Sequence, residues 1–391
     1  MRSIAMLPRV VQDDHPRKEI TSSMDGGLSG EYCESDDVVL LQPFSHQVGG
    51  HCSLLMLGER TVCKPYTKRE HQFYQNVHAK LTPFIPEFRG IIEVYAEEDN
   101  NGYLIMSASP PVLVVQDKSS PTKRRIRRST RMKFKRSSTE MDRSEHPTVL
   151  FQYSSKTYCQ NPWAKQCQAL QLAKMRLLRS QKHRFLLLEN LAYCYQYPSV
   201  LDLKMGTRHY GDDASEHKRR RQKAKSLEST SSTIAVRLGG MQVFDQRTKT
   251  YTCYDKYYGR SLSVRRFKET IVEFFNNGIS IRTDLITSLK GRLEELNRVL
   301  NDSPGYRFYS SSLLIIYEGD ACANQSPFID VRMIDFGHST CQNFEEDPQH
   351  VGPDKGYLQG VNSLIQIMHH ILAEMSSGVA ECGELGDIRH C

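Results

Sequence analysis

An α+β chain of two lobes, a small β-rich one followed by a larger mixed one, is the fold class this sequence predicts. Three observations carry it. Short apolar runs separated by turn signals crowd the first half, the long amphipathic periods come late, and no segment repeats another. The lobes are expected at 37–188 and 189–380, between a polar tail at 1–36 and a short tail at 381–391.

The small lobe opens with strands at Val38–Leu41, Cys52–Leu57 and Thr61–Cys63, with Gly49–Gly50 as a turn. Phe73, Val77 and Leu81, at four-residue steps, predict a helix over 67–81. Ile91–Tyr95 and Tyr103–Met106 read as a hairpin around Asn100–Asn101–Gly102. Residues 118–150 interrupt the pattern as a disordered basic insertion: nine of the fifteen residues from Thr122 to Arg136 are Lys or Arg, and none is acidic. Such a run is also the pattern of a nuclear-import address or an anionic tether. A helix follows from about 161 to 179, then a buried strand at Phe185–Leu188.

In the large lobe, strand Ser199–Leu203 leads to a basic helix. Thr233–Leu238 and Met241–Phe244 read as a hairpin around Gly239–Gly240. Amphipathic helices are expected near 262–277 and 283–301, strands at Ser311–Tyr317 and Phe328–Ile334, and a last helix near 356–375.

Composition excludes several classes. The 39% hydrophobic content supports a packed core, and a net charge of +7 is too small to define a partner by itself. Eleven dispersed cysteines with no C-x-x-C pair argue against a zinc site or a disulfide framework and for a reducing compartment. No apolar run is long enough to span a bilayer and the N-terminus lacks a secretory pattern, so a soluble protein of the cytoplasm or nucleus is expected.

The strongest local signal is Pro198-x-x-x-Asp202-x-Lys204-x-Gly206. Strand alternation puts Asp202 and Lys204 on one face, so a carboxylate and an ammonium point together into one cleft. Alone, this pattern would be a surface ion pair. Asp335–Phe336–Gly337, however, closes another apolar strand, where a carboxylate suits a metal ion, and Lys64 ends a strand six residues before the helical Glu70. A strand lysine paired with a helical glutamate is how kinase-like folds hold nucleotide phosphates.

Together with Ser311–Leu314 and Ile334–His338, these stretches resemble the motif set of the inositol polyphosphate kinase family. His46–Gln47–Val48–Gly49–Gly50–His51, Gly206–Thr207–Arg208-x-x-Gly211–Asp212–Asp213–Ala214, Arg307–Ser310 and Gly352–Pro353–Asp354-x-Gly356–Tyr357 are similar to its hexakisphosphate kinase branch. The resemblance implies a two-lobed kinase-like fold with ATP and Mg2+ in the cleft between the lobes. It further implies that Glu189, Asn190 and Leu191 form a hinge whose backbone binds adenine, that Asp202 meets the ribose and Lys64 the ATP phosphates. Asp335 would hold magnesium, Lys204 would lie between donor and acceptor phosphates, and His338 would touch the substrate, a soluble inositol phosphate.

The basic helix fits that substrate. Lys218–Arg219–Arg220–Arg221–Gln222–Lys223–Ala224–Lys225 carries six cations in eight residues, with Lys218, Arg221 and Lys225 expected along one face. Such density repels itself unless an anion compensates, and several phosphates on one ring would do so. Lys256 and Arg260 are further contacts of weaker claim. The sequence has neither the H-R-D-x-x-x-x-N base motif of protein kinases nor a Walker loop. A phosphate acceptor, already ionised, needs no base, and the expected product is an inositol pyrophosphate. A multikinase acting on hydroxyls of lower inositol phosphates is the alternative enzyme, against which the G-T-R-x-x-G-D-D-A continuation speaks. A non-catalytic binder of inositol phosphates or nucleic acid is the alternative of another class. The basic runs lack the interleaved aromatics of single-strand nucleic-acid binding, so nucleic acid is not the expected partner.

Overall fold

The computed structural model describes residues 39–50, 53–98, 104–108, five positions between 163 and 170, 182–322, 328–341, 344 and 347–384. The expected tail at 1–36, the basic insertion, the turn at 100–102 and nearly all of the 161–179 helix lie outside the described residues.

Two antiparallel sheets organise the chain. The first has seven strands in the order β1-β6-β5-β7-β4-β3-β2: β1 Val39–Leu40, β2 Gln42–Pro43, β3 Leu55–Leu57, β4 Thr61–Pro65, β5 Phe88–Glu98, β6 Leu104–Ala108 and β7 His183–Glu189. The second has five, in the order β10-β9-β8-β11-β12: β8 Pro198–Met205, β9 Val236–Asp245, β10 Thr250–Tyr254, β11 Ser312–Glu318 and β12 Ile329–Ile334. This is an α+β, two-lobed, kinase-like fold.

The helix expected over 67–81 is two elements. Helix α1, Lys68–Asn76, stops where Val77 turns extended, and a 3-10 turn over Ala79–Phe84 continues the buried face with Leu81 and Phe84. The four-residue spacing persists because the turn presents its apolar residues to the same core.

The hairpin expected around Gly239–Gly240 is not there. One strand, β9, runs through both glycines, and its register against β8 slips between Asp202 and Leu203. The glycines serve close approach. A Cβ on Gly239 would sit 2.7 Å from Asp202 Oδ1, and one on Gly240 would sit 1.9 Å from Val48 O. Neither contact is cheaply relieved, because Asp202 is packed into the cleft floor and the Val48 oxygen belongs to main chain.

The remaining helices cover the second sheet: α2 Glu216–Leu227, the single turn α3 Ser231–Ile234, α4 Lys256–Ser261, α5 Val264–Phe274, α6 Thr283–Asn301 and α7 Lys355–Glu384. Leu285, Ile286, Leu289, Leu293, Leu296 and Leu300 make one buried stripe along α6. Helix α7 runs past the expected end at 375 and into the expected tail. The core is continuous, and Phe73 of α1 stacks on Phe336 with ring centres 4.0 Å apart. Among the described residues, no helix is long and apolar enough to cross a membrane.

Candidate active site

A cleft of about 330 Å³ opens between the sheets. Its floor is built by register. Lys204 of β8 lies opposite Arg237 of β9 and Ser312 of β11, and Asp202 lies opposite Gly240 and Leu314. Directly opposed residues share a face, so Asp202, Lys204, Arg237 and Ser312 all look into the cleft.

At one end the wall is apolar: Val48, Val200 and Ile316 are buried together, with Leu191 and Leu314 against them. The Asp202 carboxylate lies at the edge of this slot. It is 4% exposed, gripped between the backbones of Gly49 and Gly239, and its Oδ1 has no hydrogen-bond partner. Burial raises its pKa to about 6, against the attraction of Lys204.

Deeper in, Lys64 Nζ donates to Glu70 Oε1 at 2.7 Å and to Asp335 Oδ1 at 2.6 Å. Burial works against this ammonium, but the two carboxylates hold its pKa above the ordinary value. Lys204 Nζ is 3.9 Å from Asp335 Oδ2 and 3.4 Å from Ser312 Oγ. Here burial outweighs the carboxylates, and the pKa of Lys204 is lowered. Asp335 has φ +68, a left-handed backbone that is costly for a residue with a side chain.

The opposite wall is cationic. Arg237 is 7% exposed, and burial with the nearby Arg260 lowers its pKa to about 10. Burial and then Arg260 lower Lys256 and Lys225 as well. Lys64, Lys204, Arg237, Lys256 and Arg260 all line this cleft, and burial is the largest cause of the lowered values of Lys204, Arg237 and Lys256.

The expected residues are placed unequally. Lys64, Leu191, Asp202, Lys204, Asp335 and His338 line the cleft. Of the hinge, Glu189 and Asn190 spend their N–H groups on Glu87 O and Arg60 O, both at 2.9 Å, and Arg332 holds the Glu189 carboxylate at 3.3 Å. None of residues 218–225 lines the cleft itself. Lys218 reaches its edge, with Nζ 3.1 Å from His338 Nε2, and Lys225 stands near Arg260 and Arg237. The inward face of α2 is Lys218, Gln222 and Lys225, and Arg221, Lys223 and Ala224 are exposed. Arg219 is turned to Ala214 O and Asp212 O, and Arg220 to Glu216.

Sequence reasoning missed Arg237, which lies within an apolar strand and carries no local signal, and underweighted Lys256 and Arg260. Those two stand four apart on α4, a spacing that puts both side chains on one face. It also missed the loop 44–50 as the wall over Asp202. Gln47 fastens that loop by Nε2 to Gly49 O at 2.9 Å, and Gln242 Nε2 lies 3.0 Å from His46 Nδ1.

Comparison with known proteins agrees with this geometry. Residues 185–369 match the family described as inositol polyphosphate kinase. Inositol hexakisphosphate kinase 1 of Mus musculus is 36% identical over 91% of this chain and 99% of its own length. Inositol hexakisphosphate kinase 2 of Rattus norvegicus is 37% identical over 86% of this chain and 96% of its own. A crystal structure of an inositol phosphate multikinase of S. cerevisiae, in complex with ADP and Mn2+, superposes with a TM-score of 0.52 at 20% identity, covering 80% of this chain and 99% of that one. Similarity of this extent, over a chain folded around such a cleft, makes the protein a member of the inositol polyphosphate kinase family, in the company of its inositol hexakisphosphate kinases.

Proposed function

We propose that the chain is an ATP-dependent kinase that transfers a phosphoryl group to inositol hexakisphosphate, and to the pentakisphosphate, making inositol pyrophosphates. The observation that carries the reading is the division of one cleft into an apolar slot edged by Asp202, the Lys64–Asp335 pair, and a cationic wall of Arg237, Lys256 and Arg260. Near-full-length similarity to inositol hexakisphosphate kinases supports it.

The residues fit a magnesium nucleotide. The unpartnered Oδ1 of Asp202 is an acceptor waiting for a hydroxyl donor, which a ribose supplies. The slot of Val48, Val200, Leu191 and Ile316 suits a flat base beside the Glu189–Leu191 linker. Lys64 binds phosphate oxygens, and Asp335 offers magnesium one carboxylate. No cluster of three metal-ligating side chains exists among the described residues, and Asp335 would be the carboxylate that holds the ion. When bound, the metal neutralises charge on the β- and γ-phosphates. In this reading residues 37–188 are the lobe that carries Lys64, and 189–380 the lobe that carries the other named groups.

Lys204, between the nucleotide side and the cationic wall, screens two phosphates as they approach. Arg237, Lys256 and Arg260, with Lys218 and Lys225 at the rim and His338 beside them, hold the acceptor ring by its phosphates. An ionised phosphate oxygen attacks without giving up a proton, so the cleft needs cations where a hydroxyl acceptor would need a base. The test is incubation with Mg-ATP and inositol hexakisphosphate, with products separated by charge. A more anionic product, absent with Asp335→Asn, is expected. Phosphorylation confined to tris- and tetrakisphosphates would overturn the reading.

A further inference from the structure

Neighbouring residues on α1 reach to opposite sides of the cleft. Glu70, 2% exposed, accepts from Lys64 Nζ at 2.7 Å and from the Phe336 N–H at 3.0 Å. It therefore ties the nucleotide-side lysine to the turn that holds Asp335 in its left-handed backbone. Arg69 points the other way. Its guanidinium grips Asp347 with two bonds, Nη1 to Oδ2 and Nη2 to Oδ1, the latter 3.1 Å. Nη2 also stands 3.9 Å from Asp213 Oδ2, and the guanidinium lies 5.5 Å from the centre of the Phe344 ring.

Both carboxylates belong to the acceptor side. Asp347 lies beyond the Asp335–His338 turn. Asp213 lies two residues before Ser215, the cap of α2, and α2 carries Lys218 to His338. The Asp347 side chain is 4% exposed. Burial opposes its charge, but the bonds from Arg69 hold its pKa below the ordinary value. A buried pair of this kind adds little net stability, whereas its two parallel bonds fix position and orientation closely. The start of α1 is also held by the bonds to Glu70, by the packing of Phe73 on Phe336 and by a long cap bond of 3.4 Å from Glu70 N–H to Thr67 Oγ1, and Arg69 adds the tie on the acceptor side.

We infer that Arg69 is a positioning residue. By anchoring α1 to the acceptor-side loops, it sets Glu70 where that carboxylate holds both Lys64 and the Asp335–Phe336 turn. Arg69 acts through Glu70 and is not among the residues that line the cleft. The inference rests on the reading of Lys64 and Asp335 as the groups that receive Mg-ATP.

Binding of two ligands to the full chain tests it: a non-hydrolysable Mg-ATP analogue, which needs Lys64 and Asp335, and adenosine, which needs only the apolar slot and Asp202. Arg69→Ala and Asp347→Asn should each weaken the analogue at least about tenfold and leave adenosine unchanged. Combining them should cost no more than Arg69→Ala alone, because that variant already removes the contact with Asp347. Arg69→Lys, which keeps the charge but loses the fork, should fall between wild type and Arg69→Ala and guards against a misfolded alanine variant. Unchanged analogue binding in Arg69→Ala, or equal loss of both ligands in Arg69→Lys, would overturn the inference. A wild-type chain that binds the analogue no better than adenosine would instead overturn the assignment of Lys64 and Asp335, and the inference with it.

Discussion

Replacing Asp202 with asparagine should remove one specific pH dependence from the stability of the ligand-free protein. The wild-type carboxylate is 4% exposed, one oxygen has no partner, and burial raises its pKa from 3.8 to about 6. Over that range the folded protein keeps a proton that the unfolded chain has released. Stability from this group is therefore fully present below the unfolded value and is lost as pH rises through the folded one. A rise from 3.8 to about 6, at about 1.4 kcal/mol for each pH unit, amounts to about 3 kcal/mol. Asparagine has nearly the same shape and does not titrate. Urea unfolding of both proteins should show the difference between them moving about 2.4 kcal/mol in the variant's favour between about pH 4 and pH 7, then staying flat. Any fixed gain or loss from the amide cancels in this comparison, as do the titrating groups the two proteins share. Mg-ATP should shift the balance back towards wild type, because a ribose hydroxyl donates better to a carboxylate than to an amide. Stability curves that remain parallel from about pH 4 to pH 7 would refute the reasoning.

Three further outcomes follow from the cleft. Asp335→Asn should cut turnover at least about a hundredfold by removing the metal's protein ligand, with the chain still folded because the change is close to isosteric and Glu70 still pairs with Lys64. Lys204→Ala should lower kcat at saturating Mg-ATP more than it weakens nucleotide binding, and equal losses would move Lys204 to the nucleotide side. At fixed salt, Lys256→Ala with Arg260→Ala should raise the inositol phosphate KM at least about tenfold, since each charged hydrogen bond contributes about 1.5–3 kcal/mol. Arg221→Ala, which removes an exposed side chain of α2, should leave that KM unchanged.

Much of the fold was legible because burial wrote a regular pattern. Strands β7, β8, β11 and β12 are short apolar runs covered on both faces, and α6 carries its leucines in one stripe. The placement of Asp202 and Lys204 followed from strand alternation alone. The misreadings have physical causes. Two adjacent glycines usually mark a tight turn, and nothing within β9 tells that they accommodate Asp202 and Val48 from elsewhere in the chain. The helix over 67–81 was read too long because an apolar period cannot distinguish one helix from a helix and a turn that share a core. Arg237 was invisible because its meaning comes from Lys204 across the sheet, a partner 33 positions away in sequence. The basic segment 218–225 drew attention by density, yet its cations divide between the cleft edge, solvent and the start of their own helix.

The contact of Gly240 with Val48 also bears on how the enzyme moves. Val48 belongs to the loop between β2 and β3, and Gly240 to β9, so main chain from one sheet rests on main chain from the other with no side chain to compress. Such a contact is a hard stop, and it lies at the nucleotide end of the cleft. The sheets cannot draw nearer there. Lys64–Asp335 and Arg69–Asp347 also bridge the two sides, so a main-chain stop and two ion pairs together fix the width of the cleft.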